Sequence, residues 1–139
     1  MNGRKAETGL AYFTLGLLAL YAPLETLASS ESGLWANPNY WIDVIAMALL
    51  LWGAVHSLRA RPAAAPGLLC GAYGWTVANG WRATFARVVE AQQGASTPGG
   101  VGGLGPVAAA TAVALACFAL SLYLVARAAP TVGNAKPPA

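Results

Sequence analysis

The chain has 139 residues, of which 57% are hydrophobic and only 9% charged, with a formal net charge of +3. A water-soluble domain carries charge on about a quarter of its residues, so this composition excludes an ordinary soluble surface. So small a net charge, with no basic block interleaved with aromatics, also argues against nucleic acid as a partner. The expected partners are the lipid bilayer and either a second copy of the chain or a larger membrane complex.

Arg4 and Lys5 precede a first apolar run over about 9–28, long enough to cross a membrane. Pro23, near its far end, removes the hydrogen bond to the Ala19 carbonyl and predicts a kink there. A basic start, an apolar centre and Thr26-Leu27-Ala28 before Ser29 also resemble a secretory signal, but Glu25 and the membrane segments that follow suit a retained helix better. Residues 29–40 form a polar connection containing Asn37-Pro38, an N-cap followed by a first-turn proline. Trp35, Tyr40 and Trp41 read as an interfacial aromatic cluster. The second run covers about 40–58 and stops at Arg59-Ala60-Arg61-Pro62. A tight link over 63–66 makes the second and third helices antiparallel neighbours. The third run covers about 67–89, with Gly67, Gly71, Gly74 and Ala78 as a small-residue ridge for close helix approach. Residues 90–105 are rich in Gly, Ser, Thr and Pro and read as an exposed loop. The fourth run, about 106–126, places Ala108, Ala112, Ala116 and Ala119 at helical spacing, which favours helix contact. The tail from Arg127, with Pro130, Pro137 and Pro138, is expected to be disordered.

These runs predict an all-α, single-domain bundle of four transmembrane helices. Arg4, Lys5, Arg59, Arg61, Arg127 and Lys136 fall on one side of it, and Arg87 on the other. The positive-inside rule then puts both termini in the cytoplasm, in a multi-pass inner-membrane protein. The Ala/Gly/Arg-rich composition suggests a GC-rich bacterial genome.

In that topology Glu25, Asp43 and Arg82 reach similar depths in the outer leaflet. A fixed positive charge in a membrane helix is costly unless something answers it. A guanidinium fork can engage two carboxylates at once. Asn79 is three residues before Arg82 and shares its face. Thr14, Leu18, Tyr21 and Glu25 form a mildly polar stripe on the first helix. The expectation is a partly buried cluster of Glu25, Asp43, Arg82, Asn79 and Tyr21, with Trp75 as a further hydrogen-bond donor. Three roles suit such a cluster: a structural ion pair that fixes helix register, snorkelling of Arg82 and Asp43 to the interface, or a proton or cation site.

Other signals carry little chemistry. Cys70 and Cys117 lie in apolar runs without a CxxC spacing, and His56 is the single histidine, so no metal, disulfide or haem site is expected. Residues 100–105 match GxGxxG literally, but no strand precedes them and no acidic residue follows to hold a ribose. No serine sits in a GxSxG elbow. Neither enzymatic activity nor a cofactor is expected. Four passes in so short a chain, with a carboxylate in the first helix, resemble the small multidrug exporters in architecture. Glu25, however, lies near the helix end beyond Pro23, where that family keeps its acid near mid-helix. The best-supported role is structural or accessory; the alternative is a small proton- or cation-coupled transporter or channel using the cluster.

Overall fold

A computed structural model describes residues 3–30, 38–59, 67–94 and 103–128. They form four α-helices: α1 (Gly3–Ser30), α2 (Pro38–Arg59), α3 (Gly67–Gln92) and α4 (Leu104–Ala128). At about 1.5 Å rise per residue, each is long enough for a hydrocarbon core of about 30 Å. Three of them, α1, α2 and α4, are also apolar enough to cross a membrane. The outer half of α3 carries Asn79, Arg82, Arg87 and Glu90, which lowers its apolar character.

The helix ends follow local chemistry. Pro38 opens α2, as a first-turn proline should. α1 runs unbroken through Pro23 to Ser30. α3 outlasts the apolar run by three residues, so 90–92 are helix rather than loop. An Arg87–Glu90 ion pair of 2.8 Å spans its last turns, and Gly94 then turns the chain at φ +69°, a left-handed position that glycine adopts without strain. The amides of Gln93 and Gly94 bond back to Val89 and Ala91. α4 begins at Leu104, two residues before the expected start; the Gly103 carbonyl accepts its first bond from Val107, and Pro106 sits in the first turn, where its missing N–H costs nothing. Asn37, Trp35, the 63–66 link and the tail beyond Ala128 lie outside the described residues. The remaining aromatic pair, Tyr40 and Trp41, meets edge to face at 6.2 Å.

Neighbours in sequence pack side by side, α1 on α2, α2 on α3 and α3 on α4, and a lighter contact of α1 with α4 closes the ring. The helices alternate in direction, so the start of α1 and the end of α4 lie at the same end of the bundle. The core contains Leu10 and Ala11 of α1, Leu50 and Ala54 of α2, Leu69, Ala72 and Tyr73 of α3, and Ala114, Cys117 and Leu124 of α4.

Two glycines set the closest approaches. A methyl group on Gly53 would stand 2.9 Å from the Leu69 backbone, and one on Gly80 would stand 2.6 Å from the Thr111 hydroxyl. The expected small-residue ridges serve less than their spacing suggested. Around Gly67 and Gly71 there is open space, Ala78 is exposed, and only Gly74 meets a neighbour, Phe118. On α4, Ala112, Ala116 and Ala119 face outward, while Thr111, Ala114, Cys117, Ser121 and Leu124 form the buried stripe. Both hydroxyls donate to carbonyls of α4 itself. Thr111 also reaches the Thr84 hydroxyl of α3 at 3.2 Å, where Gly80 lets the two helices close, and this seam sets which side of α4 is buried.

Candidate functional site

Polar side chains gather at three levels along one face of α1, formed by Glu7, Thr14, Tyr21 and Glu25. Their spacing of seven, seven and four residues keeps them on the inward side of the helix. Glu7 and Glu25 are separated by about 27 Å along the axis at ~1.5 Å per residue.

The first level is where the residues of the expected cluster stand. The Tyr21 hydroxyl lies by the Glu25 carboxylate one turn on, and both are in the field of Asp43 of α2. Asp43 in turn faces Glu25 and Arg82 electrostatically, so acids of α1 and α2 and the guanidinium of α3 share one region. Tyr21, Glu25 and Asp43 are half-buried, whereas Arg82 is exposed at the outer surface of α3. Asn79 is directed elsewhere: its side-chain amide donates to the Trp75 carbonyl of its own helix at 3.0 Å. Trp75 itself is exposed. Among the described residues, the ion pair closed within 4 Å is Arg87–Glu90, which spans the last turns of α3 outside this cluster.

The second level is a node joining three helices at the bundle centre. Thr14 and Tyr73, 1% and 2% exposed, bring their oxygens to 2.6 Å. Thr14 already gives its single hydroxyl proton to the Leu10 carbonyl at 2.8 Å. Tyr73 is therefore the donor and Thr14 the acceptor. The Cys117 thiol of α4 lies against the same phenol. Sequence reasoning placed Thr14 on a polar stripe but missed Tyr73. The available signal was a tyrosine well inside an apolar run, away from both interfaces, where its hydroxyl needs a partner.

The third level lies at the end of the bundle that holds the start of α1. Glu7 faces Ser57 and is within the field of Arg4 and His56. The Ser57 hydroxyl is shut away from solvent and makes no hydrogen bond of good geometry. Among the described residues Glu7 is the polar group that faces this hydroxyl. Sequence reasoning missed this pair too; its signal was Glu7 standing one heptad before Thr14.

Two surface concavities both border the first turns of α1, away from the acidic cluster. One is an open groove of about 350 Å³ between α1 and α4, lined by Gly9, Leu10 and Phe13 against Ala116, Cys117 and Leu120. The other, on the outer side of α1, is bordered by Arg4, Lys5, Thr8, Gly9 and Tyr12. Among the described residues, no three His, Cys, Asp or Glu side chains converge to hold a metal ion. Comparison with family models, with curated proteins and with solved structures finds no match for this chain.

Proposed function

We propose that this protein is a structural or accessory component of a bacterial inner membrane, with both termini cytoplasmic, that works against a partner within the bilayer. The observation that carries this reading is the exposure of Arg82. Gly71, Trp75, Ala78 and Arg82 recur at helical spacing on the outer face of α3, and all four are exposed. Trp81 and Phe85 lie beside them with ring centres 5.2 Å apart. Insertion scales put an arginine at the helix centre at about 2.5–3.5 kcal/mol, and one placed toward the outer leaflet, as Arg82 is on this topology, at less than that. The field of Asp43 offsets part of that cost from inside the bundle. A second protein surface on α3 offsets the rest, and Gly71 and Ala78 allow its backbone to come close. On this reading the levels along α1 are register locks for the bundle.

Gentle purification from the native membrane, with identification of what accompanies the chain, tests the proposal. The expected result is a partner or a second copy that is lost from Arg82→Leu while the helix content stays intact. A chain that comes out alone and monomeric, unchanged by Arg82→Leu, would overturn it. A second reading is favoured by one feature, the electrostatic proximity of Asp43 and Glu25. Two carboxylates from different helices are a common way for a membrane protein to hold an exchangeable proton or cation. That reading requires flux in proteoliposomes that Glu25→Gln abolishes.

A further inference from the structure

The geometry points to the α1/α4 groove as a binding site for one anionic phospholipid of the surrounding bilayer, with an acyl chain in the groove and the phosphate held by Lys5 and Arg127. This site lies between α1 and α4, away from Arg82, and does not depend on the accessory reading.

The groove exists because α1 and α4 touch only lightly where the ring closes. Its volume of about 350 Å³ is lined almost wholly by carbon, and it opens sideways along the helices. Gly9 on α1 and Ala116 on α4 keep it open, since neither projects a long side chain. A Cβ on Gly9 would meet nothing within 4 Å. These properties suit a flexible hydrocarbon chain.

The charge at one end of the groove chooses the headgroup. On α4, Ala116, Leu120, Tyr123 and Arg127 follow one another at i, i+4, i+7 and i+11, so Arg127 stands at the end of the groove face. Its guanidinium lies 4.7 Å over the Tyr123 ring, which holds it along that face. On α1, Lys5 stands one turn before Gly9, beside Thr8 and Arg4 on the adjoining ledge. The neighbouring acid, Glu7, turns away toward Ser57 of α2. The groove mouth therefore presents cations and a hydroxyl around an apolar slot, which favours a lipid of net negative charge over a zwitterionic one, whose choline charge is repelled by the cations that draw in its phosphate. Basic pockets between membrane helices on the cytoplasmic side take anionic headgroups in this way.

The test is a titration of the purified full chain, in a neutral detergent, with dioleoyl phosphatidylglycerol and dioleoyl phosphatidylcholine, read by native mass spectrometry. The expected result is a single tight phosphatidylglycerol, with phosphatidylcholine at least tenfold weaker. Lys5→Gln and Arg127→Gln should each weaken phosphatidylglycerol about fivefold, at about 1 kcal/mol per basic residue near the surface. Gly9→Leu should block the site with both cations in place; it fills open space and raises helix propensity. Glycerol phosphate, which lacks the chains, should not bind. Equal affinity for the two lipids would overturn the proposal, as would phosphatidylglycerol binding that survives either Gly9→Leu or the paired charge removal. A dimer that Gly9→Leu dissociates, with no lipid preference, would give the groove to a second copy and overturn it equally.

Discussion

At Tyr73 and Thr14, one hydrogen bond joins two helices that are not sequence neighbours. The direction of that bond makes the two residues unequal. Tyr73→Phe removes the donor and leaves Thr14 still bonded to the Leu10 carbonyl, so the cost should be about 1 kcal/mol or less. Thr14→Val instead leaves the phenol hydroxyl of Tyr73 buried with only the weakly accepting Cys117 thiol beside it, and the cost should be about 1–3 kcal/mol. Unfolding in mixed micelles, followed by circular dichroism, should rank Thr14→Val as the more damaging; the reverse order would mean that Thr14 is the donor. The glycines allow a similar contrast. Gly80→Ala drives a methyl group into Thr111 and should destabilise by about 1–3 kcal/mol. Gly71→Ala meets open space and should be neutral or slightly stabilising. Both glycines sit in one helix and look alike in sequence. Only the neighbour opposite each decides the outcome, which is why the ridge read from spacing alone took in Gly67 and Gly71 with Gly74 and left out Gly80.

At the scale of the element, each apolar run became one helix, and the errors lie at the ends. Length and composition are enough to recognise a run, but where a helix stops depends on caps and single contacts such as Arg87–Glu90 and Gly94. The faces were harder to read. Spacing shows that Ala112, Ala116 and Ala119 share a side of α4; it does not show whether that side meets protein or lipid. That Glu25, Asp43 and Arg82 come to similar depth could be anticipated because alternating helices fix depth, and there the opposite charges of Asp43 and Arg82 attract while the two acids repel. What depth left open was rotation, and rotation leaves Arg82 exposed and Asn79 bonded to its own helix. A double-mutant cycle measures what remains of the pairing. Asp43→Asn and Arg82→Gln should each destabilise the bundle, and the combined variant should be less damaging than the sum by about 0.5 kcal/mol or more. Strict additivity in thermal unfolding would mean that the two charges answer to other groups.

For the molecule as a whole, the polar levels on α1 run from one end of the bundle to the other, and the middle one ties α1 to α3 through Thr14 and Tyr73, with Glu7 facing Ser57 of α2 and Glu25 in the field of Asp43 on either side of it. Because Thr14 and Tyr73 meet at one height and on one face of each helix, their bond sets both the height and the rotation of α1. Sliding α1 by one turn would break it and leave the phenol hydroxyl without its acceptor. Apolar packing alone would leave α1 freer, since lipid competes with protein for apolar surface on equal terms.

The polarity of α3 bears on how the chain is made. α1, α2 and α4 can each leave the translocon for lipid on their own hydrophobic strength; α3 emerges from the ribosome with an arginine that resists that step. It should wait until α4 has been synthesised and then enter as a hairpin, clasped where Gly80 admits Thr111. A nascent chain stopped at Gly94 should therefore leave its third segment outside the bilayer, where an engineered glycosylation acceptor or a thiol reagent would find it. Extending synthesis through Ala128 should protect it, and Gly80→Leu should slow that protection even though the mutant segment is more hydrophobic. Quick, independent entry of the isolated third segment would show that the fourth is not needed to carry it in.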